Sequence, residues 1–124
     1  MLLVLAVAIG GAAGALARYG LDRLIEHNVL SVFPWSTFTI NVTGCFVAGL
    51  SIAVLVDRHE LPGWVRTGVV VGFLGAYTTF STFAQESRDL LVEGHSMLAL
   101  VDVTASIAAG VAAVAAGAAL GRVL

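Results

Sequence analysis

Apolar runs about as long as a bilayer crossing fill most of this chain, and they settle the solvent in which it must fold. Of its 124 residues 59% are hydrophobic, and the mean hydropathy is +0.99. The chain reads as a single all-α integral membrane domain, residues 1–124, with four spans at about 2–25, 35–56, 62–93 and 97–123. Met1–Ala17 is apolar with small residues at Ala15 and Ala17, but it lacks a positive n-region and reads as the first span rather than a cleaved leader. A net charge of −2 indicates neither a nucleic-acid partner nor an electrostatic membrane clamp. The single cysteine, Cys45, excludes an internal disulfide and reads as a small packing residue.

One stretch departs from a plain membrane anchor. Gly72–Glu86 lies where the third span runs deepest, yet it holds Gly72, Gly75 and the hydroxyls of Thr78, Thr79, Ser81 and Thr82. Gly is a weak helix former, and Ser and Thr hydroxyls compete for backbone groups. Non-helical backbone survives in hydrocarbon only against protein or a water-filled path. The third span is therefore expected to break near Gly75–Thr78 and to line something polar. Its length, about 62–93, is too great for one straight crossing and agrees with a break.

The rest of the chain can be taken in order. In span one Gly10 and Gly14 have the small-xxx-small spacing of closely packed membrane helices. Arg18, deep for a charge, is expected either to snorkel and pair with Asp22 at i+4 or to serve a function. Pro34 suits the start of span two, and Trp35 suits the interface. Asn41 lies about 10 Å below Trp35. As a buried amide it is either helix–helix glue or a donor facing an ion path. Residues 57–60, with Arg58 and His59, form a short charged loop. Gly94 is placed to end the third span and Ser96 to cap the fourth, whose one charge before its last residues is Asp102. Asp102 is either near the interface and solvated, or neutral and hydrogen-bonded. His27, His59 and His95 fall in expected loops without metal-ligand spacing. All six basic residues are arginine, and three fall on each side of four spans. The positive-inside rule then sets no orientation, so the chain is expected to insert both ways and pair antiparallel.

On a helix starting near Thr79, Phe80 and Phe83 share a face, and Thr79 and Thr82 share the neighbouring one. Two aromatics at that spacing most often mean core packing. Ring edges, hydroxyls and an amide NH₂ can also replace part of an anion's hydration shell. A cation would favour ring faces or carboxylates, and spans one to three have no carboxylate at mid-depth. Carbonyls freed at the break suit a small cation instead.

These residues resemble the Fluc, or CrcB, family of small fluoride channels over essentially the whole chain. Residues 10–19 resemble its first-span motif, and Asn41-Val42-Thr43-Gly44 with the residues to Gly49 its second. Gly72–Phe83 followed by Glu86 resembles its third, with the Thr-Thr-Phe-Ser-Thr-Phe run the most specific part. The resemblance implies an antiparallel dual-topology homodimer of four-helix subunits in the cell (inner) membrane, with two fluoride pores and passive fluoride export. A heterodimer with a related chain is the other pairing it allows. It implies that Asn41, Phe80 and Phe83 contact fluoride, with hydroxyls from Thr79, Ser81 and Thr82 along the route. It implies one structural Na⁺ on the dimer axis, held by the carbonyls of Gly75 and Thr78, and vestibule or structural positions for Arg18 and Glu86. Ala76 and Ser36 stand where many relatives have glycine.

The alternative is a small proton-coupled multidrug exporter, also of four spans. That chemistry needs a membrane-embedded carboxylate, and Asp102 is the one stand-in. A non-transporting assembly protein would leave the hydroxyl-rich break unexplained. No phosphate loop, metal cluster or nucleophile–base pair points to an enzyme.

Overall fold

The computed structural model describes residues 1–56 and 61–124, with only the backbone of Val56. The charged loop at 57–60, including Arg58 and His59, lies outside the described residues. Among the described residues five helices follow one another: α1 (Leu2–Asn28), α2 (Trp35–Ser51), α3 (residues 63–77), α4 (Phe80–Val92) and α5 (Ser96–Val123). α3 and α4 together make the third span, so among the described residues four stretches are long and apolar enough to cross a membrane. The chain is a multi-pass membrane protein. Two stretches widen to π-helical bonding: Ile52–Val56, which prolongs α2, and Gly68–Leu74 within α3.

The helices pack as two close pairs, and glycine sets the approach in both. α1 lies against the π-helical part of α3. A methyl group at Gly10 would collide with the Gly68 carbonyl, and one at Gly14 with the Phe73 carbonyl. α2 lies along α5. There Gly49 abuts the Val114 carbonyl, and Gly117 abuts Phe46. In lipid the helices gain little from hiding apolar surface, so such backbone-to-backbone contact and interhelical hydrogen bonds hold the bundle.

Local chemistry explains the ends. α4 stops in a Schellman motif: the Gly94 N–H donates to Leu91 O at 3.2 Å and the His95 N–H to Leu90 O at 2.8 Å. Gly94 takes φ +85°, which is costly for any residue with a Cβ. At the start of α2, Phe33, Trp35 and Phe38 form an aromatic cluster with centroids 4.7–5.9 Å apart. Two expectations need correction. α1 runs on to Asn28, so His27 lies in its last turn rather than in a loop. α5 begins at Ser96 with His95 as its N-cap, and no side chain caps that end.

Candidate functional site

The third span is broken at two residues, and one side chain holds the break open. Thr78 (φ −79°, ψ 156°) and Thr79 (φ −145°, ψ 112°) are both extended between α3 and α4. In an unbroken helix the Thr79 N–H would donate to the Gly75 carbonyl four residues back. It donates instead to Asn41 Oδ1 at 2.9 Å, and Asn41 Nδ2 donates to the Thr79 carbonyl at 3.0 Å. The Asn41 amide thus serves both backbone groups of one residue, as a neighbouring strand would. The Gly75 carbonyl is left out of the ladder. Leu74 keeps its place, with its carbonyl accepting from Thr78 N–H at 3.1 Å and Thr78 Oγ1 at 3.0 Å.

Thr79 also starts the next helix. Its Oγ1 accepts from the Thr82 N–H at 3.3 Å, the usual N-cap bond, and donates to Thr82 Oγ1 at 2.9 Å. Ser81 Oγ lies 3.5 Å from the same hydroxyl. Phe80 and Phe83 follow on one face, with ring centroids 5.9 Å apart and planes tilted by 50°. Phe80 is 79% exposed. Behind the break Tyr77 is buried, stacks on Phe73 at 5.8 Å and shares a 2.9 Å hydrogen bond with Thr43.

Two cavities meet at Thr79. One, of about 500 Å³, is lined by Asn41, Gly75, Thr78, Thr79, Phe80 and Phe83, by Ser106 of α5, and by small and apolar residues of α2, α3 and α5. The other, of about 280 Å³, is lined by Arg18, Tyr19, Asp22, Thr37, Thr79 and Thr82, with Ala15 and Ile40. The structure therefore brings Asn41, Gly75, Thr78, Phe80 and Phe83 together on one side of the break. Arg18 and Thr82 stand on the other side. Ser81 is exposed on α4 and joins the group through Thr79 alone. Glu86 follows Phe83 by one turn; its Oε2 is buried and has no hydrogen-bond partner among the described residues.

The expected Arg18–Asp22 pair does not form. Asp22 instead accepts a hydrogen bond from Ser36 on α2. A hydroxyl from the facing helix meets the carboxylate at less cost than ordering a long Arg side chain. Arg18 is left to line the cavity, and the neighbouring Arg23 pairs with Glu26 at 3.3 Å and lies over the Tyr19 ring at 5.5 Å. Sequence reasoning also missed Thr37 and the partner of Asp102. The signal was there: buried polar groups need partners, and Ser36, Thr37 and Ser87 were the hydroxyls near enough in span order to be asked.

A helical membrane bundle with a hydroxyl-lined break in one span, braced by an amide from the preceding one, has the architecture of a small channel or transporter. A family model described as "CrcB-like protein, Camphor Resistance (CrcB)" matches residues 5–118. A protein of Solibacter usitatus is 43% identical over 118 residues, covering 95% of this chain and 97% of its own length. One of Acidobacterium capsulatum is 45% identical over 117 residues, covering 94% and 93%. One of Desulforapulum autotrophicum is 39% identical over 118 residues, covering 95% and 94%. Each of the three is named a fluoride-specific ion channel FluC. The chain belongs to the CrcB family.

Proposed function

We propose that this chain conducts fluoride passively and selectively across the cell membrane, exporting it and protecting the cell from its toxicity. The observation that carries the reading is the Asn41–Thr79 pairing, which opens the third span beside Phe80 and Phe83. The larger cavity, beside Phe80 and Phe83, is lined by hydroxyls, an amide and aromatic rings and, among the described residues, by no carboxylate, which is the chemistry of an anion path. The names of the relatives support fluoride as the anion.

The working unit in this reading is an antiparallel dual-topology homodimer. Phe80 and Gly75 are exposed at mid-span beside a break in the backbone. Lipid cannot satisfy that surface, whereas a second copy of the chain can. The arginine balance removes the usual bias against the inverted copy. Asn41, Phe80 and Phe83 would line the pore with Thr79, Ser81 and Thr82, and Arg18 would draw anions towards its mouth. Glu86 would sit beside that route.

The Gly75 and Thr78 carbonyls suit a structural Na⁺. The Gly75 carbonyl has lost its i+4 donor Thr79, and nothing lies within 4 Å of where the Gly75 Cβ would be, so a cation or a facing copy has room. The donors are neutral oxygens, the set a small hard cation takes in a dry site. Bound there, Na⁺ would supply a fixed positive charge; the residues themselves would orient the carbonyls and exclude water.

The drug-exporter alternative has less support, because Asp102 is only 1% exposed and is closed off by Ser87 and Ser106. The test is fluoride efflux from liposomes holding the purified protein, with chloride as the matched control. Fast fluoride efflux without chloride, lost in Phe80→Ile, supports the channel. No efflux, alone or with a related chain, rejects it.

A further inference from the structure

We propose that Ser36 acts as a positioning residue, holding Asp22 away from Arg18 so that the smaller cavity keeps an unpaired positive charge. Arg18 and Asp22 stand at i and i+4 of α1, a spacing at which the two side chains can meet. Both line the cavity of about 280 Å³ that reaches Thr79. They do not pair. Asp22 Oδ1 accepts from the Ser36 hydroxyl across the α1–α2 contact. Arg18 makes no hydrogen bond or ion pair among the described residues.

The start of α2 explains why the serine looks outward. In mid-helix a serine can give its proton to the carbonyl four residues back. Ser36 is the second residue of α2, so that carbonyl lies before the helix begins. Its hydroxyl is buried and needs a partner. The Asp22 carboxylate is the acceptor that the facing helix supplies. The carboxylate gains from the placement as well. The first turn of a helix carries N–H groups without intrahelical partners and the positive end of its dipole. No side chain caps α2 at that end. Other charges nearby leave the arrangement alone. Arg23, next to Asp22 in the chain, is taken by Glu26 at 3.3 Å and lies over the Tyr19 ring at 5.5 Å. Glu86, the partly buried acid of α4, does not line this cavity.

The consequence concerns anions. A free guanidinium offers an entering anion its full charge and a fork of N–H donors. Locked to Asp22, the same group would present a neutral pair with part of the fork already used. The Ser36 hydroxyl thus decides whether the cavity attracts anions. The effect on transport rests on the proposed fluoride path, whereas the freedom of Arg18 does not, and the two are tested apart.

The first measurement is the rate at which phenylglyoxal modifies Arg18 in the reconstituted protein, read by mass spectrometry. A guanidinium held by a carboxylate reacts more slowly than a free one. Ser36→Ala is expected to slow Arg18 about threefold, as a half-exposed ion pair warrants. The same change made in Asp22→Asn protein is expected to have no effect. Equal rates with serine and alanine at 36 overturn the proposal. So does a slowing that persists in Asp22→Asn, since it would come from altered packing rather than from the acid. The second measurement is fluoride efflux from liposomes. Ser36→Ala is expected to slow it about threefold at an ionic strength of about 0.01 M, where the Debye length is about 30 Å. At about 1 M, where that length is about 3 Å, the two proteins should converge. A slowing that is the same at both ionic strengths overturns the electrostatic role. A wild type that shows the expected Arg18 reactivity but no fluoride efflux would reject the channel reading and leave the Ser36 contact standing.

Discussion

At the scale of single residues, Asn41 does more than its position in the sequence foretold. Glue between helices and a donor to an ion path were equal readings of a buried amide; its two bonds to Thr79 make it the brace of the break. Asn41→Ala would leave a backbone N–H and C=O unpaired in a dry setting, at a cost of about 1–3 kcal/mol for each. We expect a lower unfolding temperature in detergent together with lost fluoride efflux. Asn41→Asp keeps the acceptor but replaces the NH₂ donor with oxygen, so it should pass less fluoride while folding better than Asn41→Ala. Phe80 offers a cleaner case. Its side chain is exposed in the single chain, so Phe80→Ile should leave subunit stability within about 0.5 kcal/mol, the usual range for surface changes. Unfolding and efflux measured together separate these effects, because efflux alone should fall.

Helices are where backbone contact decides the outcome. Gly117 on α5 meets the Phe46 carbonyl and the Leu50 N–H of α2 so closely that a side chain has no place. Gly117→Val should push the pair apart at a cost of about 1–3 kcal/mol, read as poor recovery of folded protein after detergent extraction. Gly94→Ala acts differently. Nothing lies within 4 Å of the added methyl, so the cost is the left-handed backbone alone, about 1–2 kcal/mol. A modest fall in unfolding temperature with normal fluoride selectivity is the expected result. Gly94 is marked in the sequence by its place between two spans, whereas the need for glycine at 117 comes from the facing helix.

For the whole molecule the prediction concerns orientation and pairing. Single cysteines placed in the loop between α1 and α2, in a Cys45→Ser background, should be labelled from both sides of the membrane in intact cells. Labelling from one side only would rule out dual topology. A cysteine at Gly75, exposed at the break, should cross-link to its copy in the membrane, because the carbonyls there are expected to face one another across the dimer axis.

Much of this was legible in the residue order. The four spans follow from apolar runs long enough to cross hydrocarbon, and the break follows from glycines and hydroxyls placed where a plain helix would avoid them. Both are local properties, governed by transfer free energy and by competition for the backbone, so a single chain read in order carries them. The partners of the polar groups are not local. Asp22 turned to Ser36 rather than Arg18, and Asp102 to Ser87, because a facing helix presented a hydroxyl at the right height. The π-helical turns of Gly68–Leu74 likewise belong to the close packing of α1 rather than to any periodicity in their own residues. Sequence alone determined that the third span must open and must hide the opening from lipid. Only the tertiary structure decided which amide braces it and which acid stands behind it, since hydrogen bonds between helices depend on register and rotation that no one helix specifies.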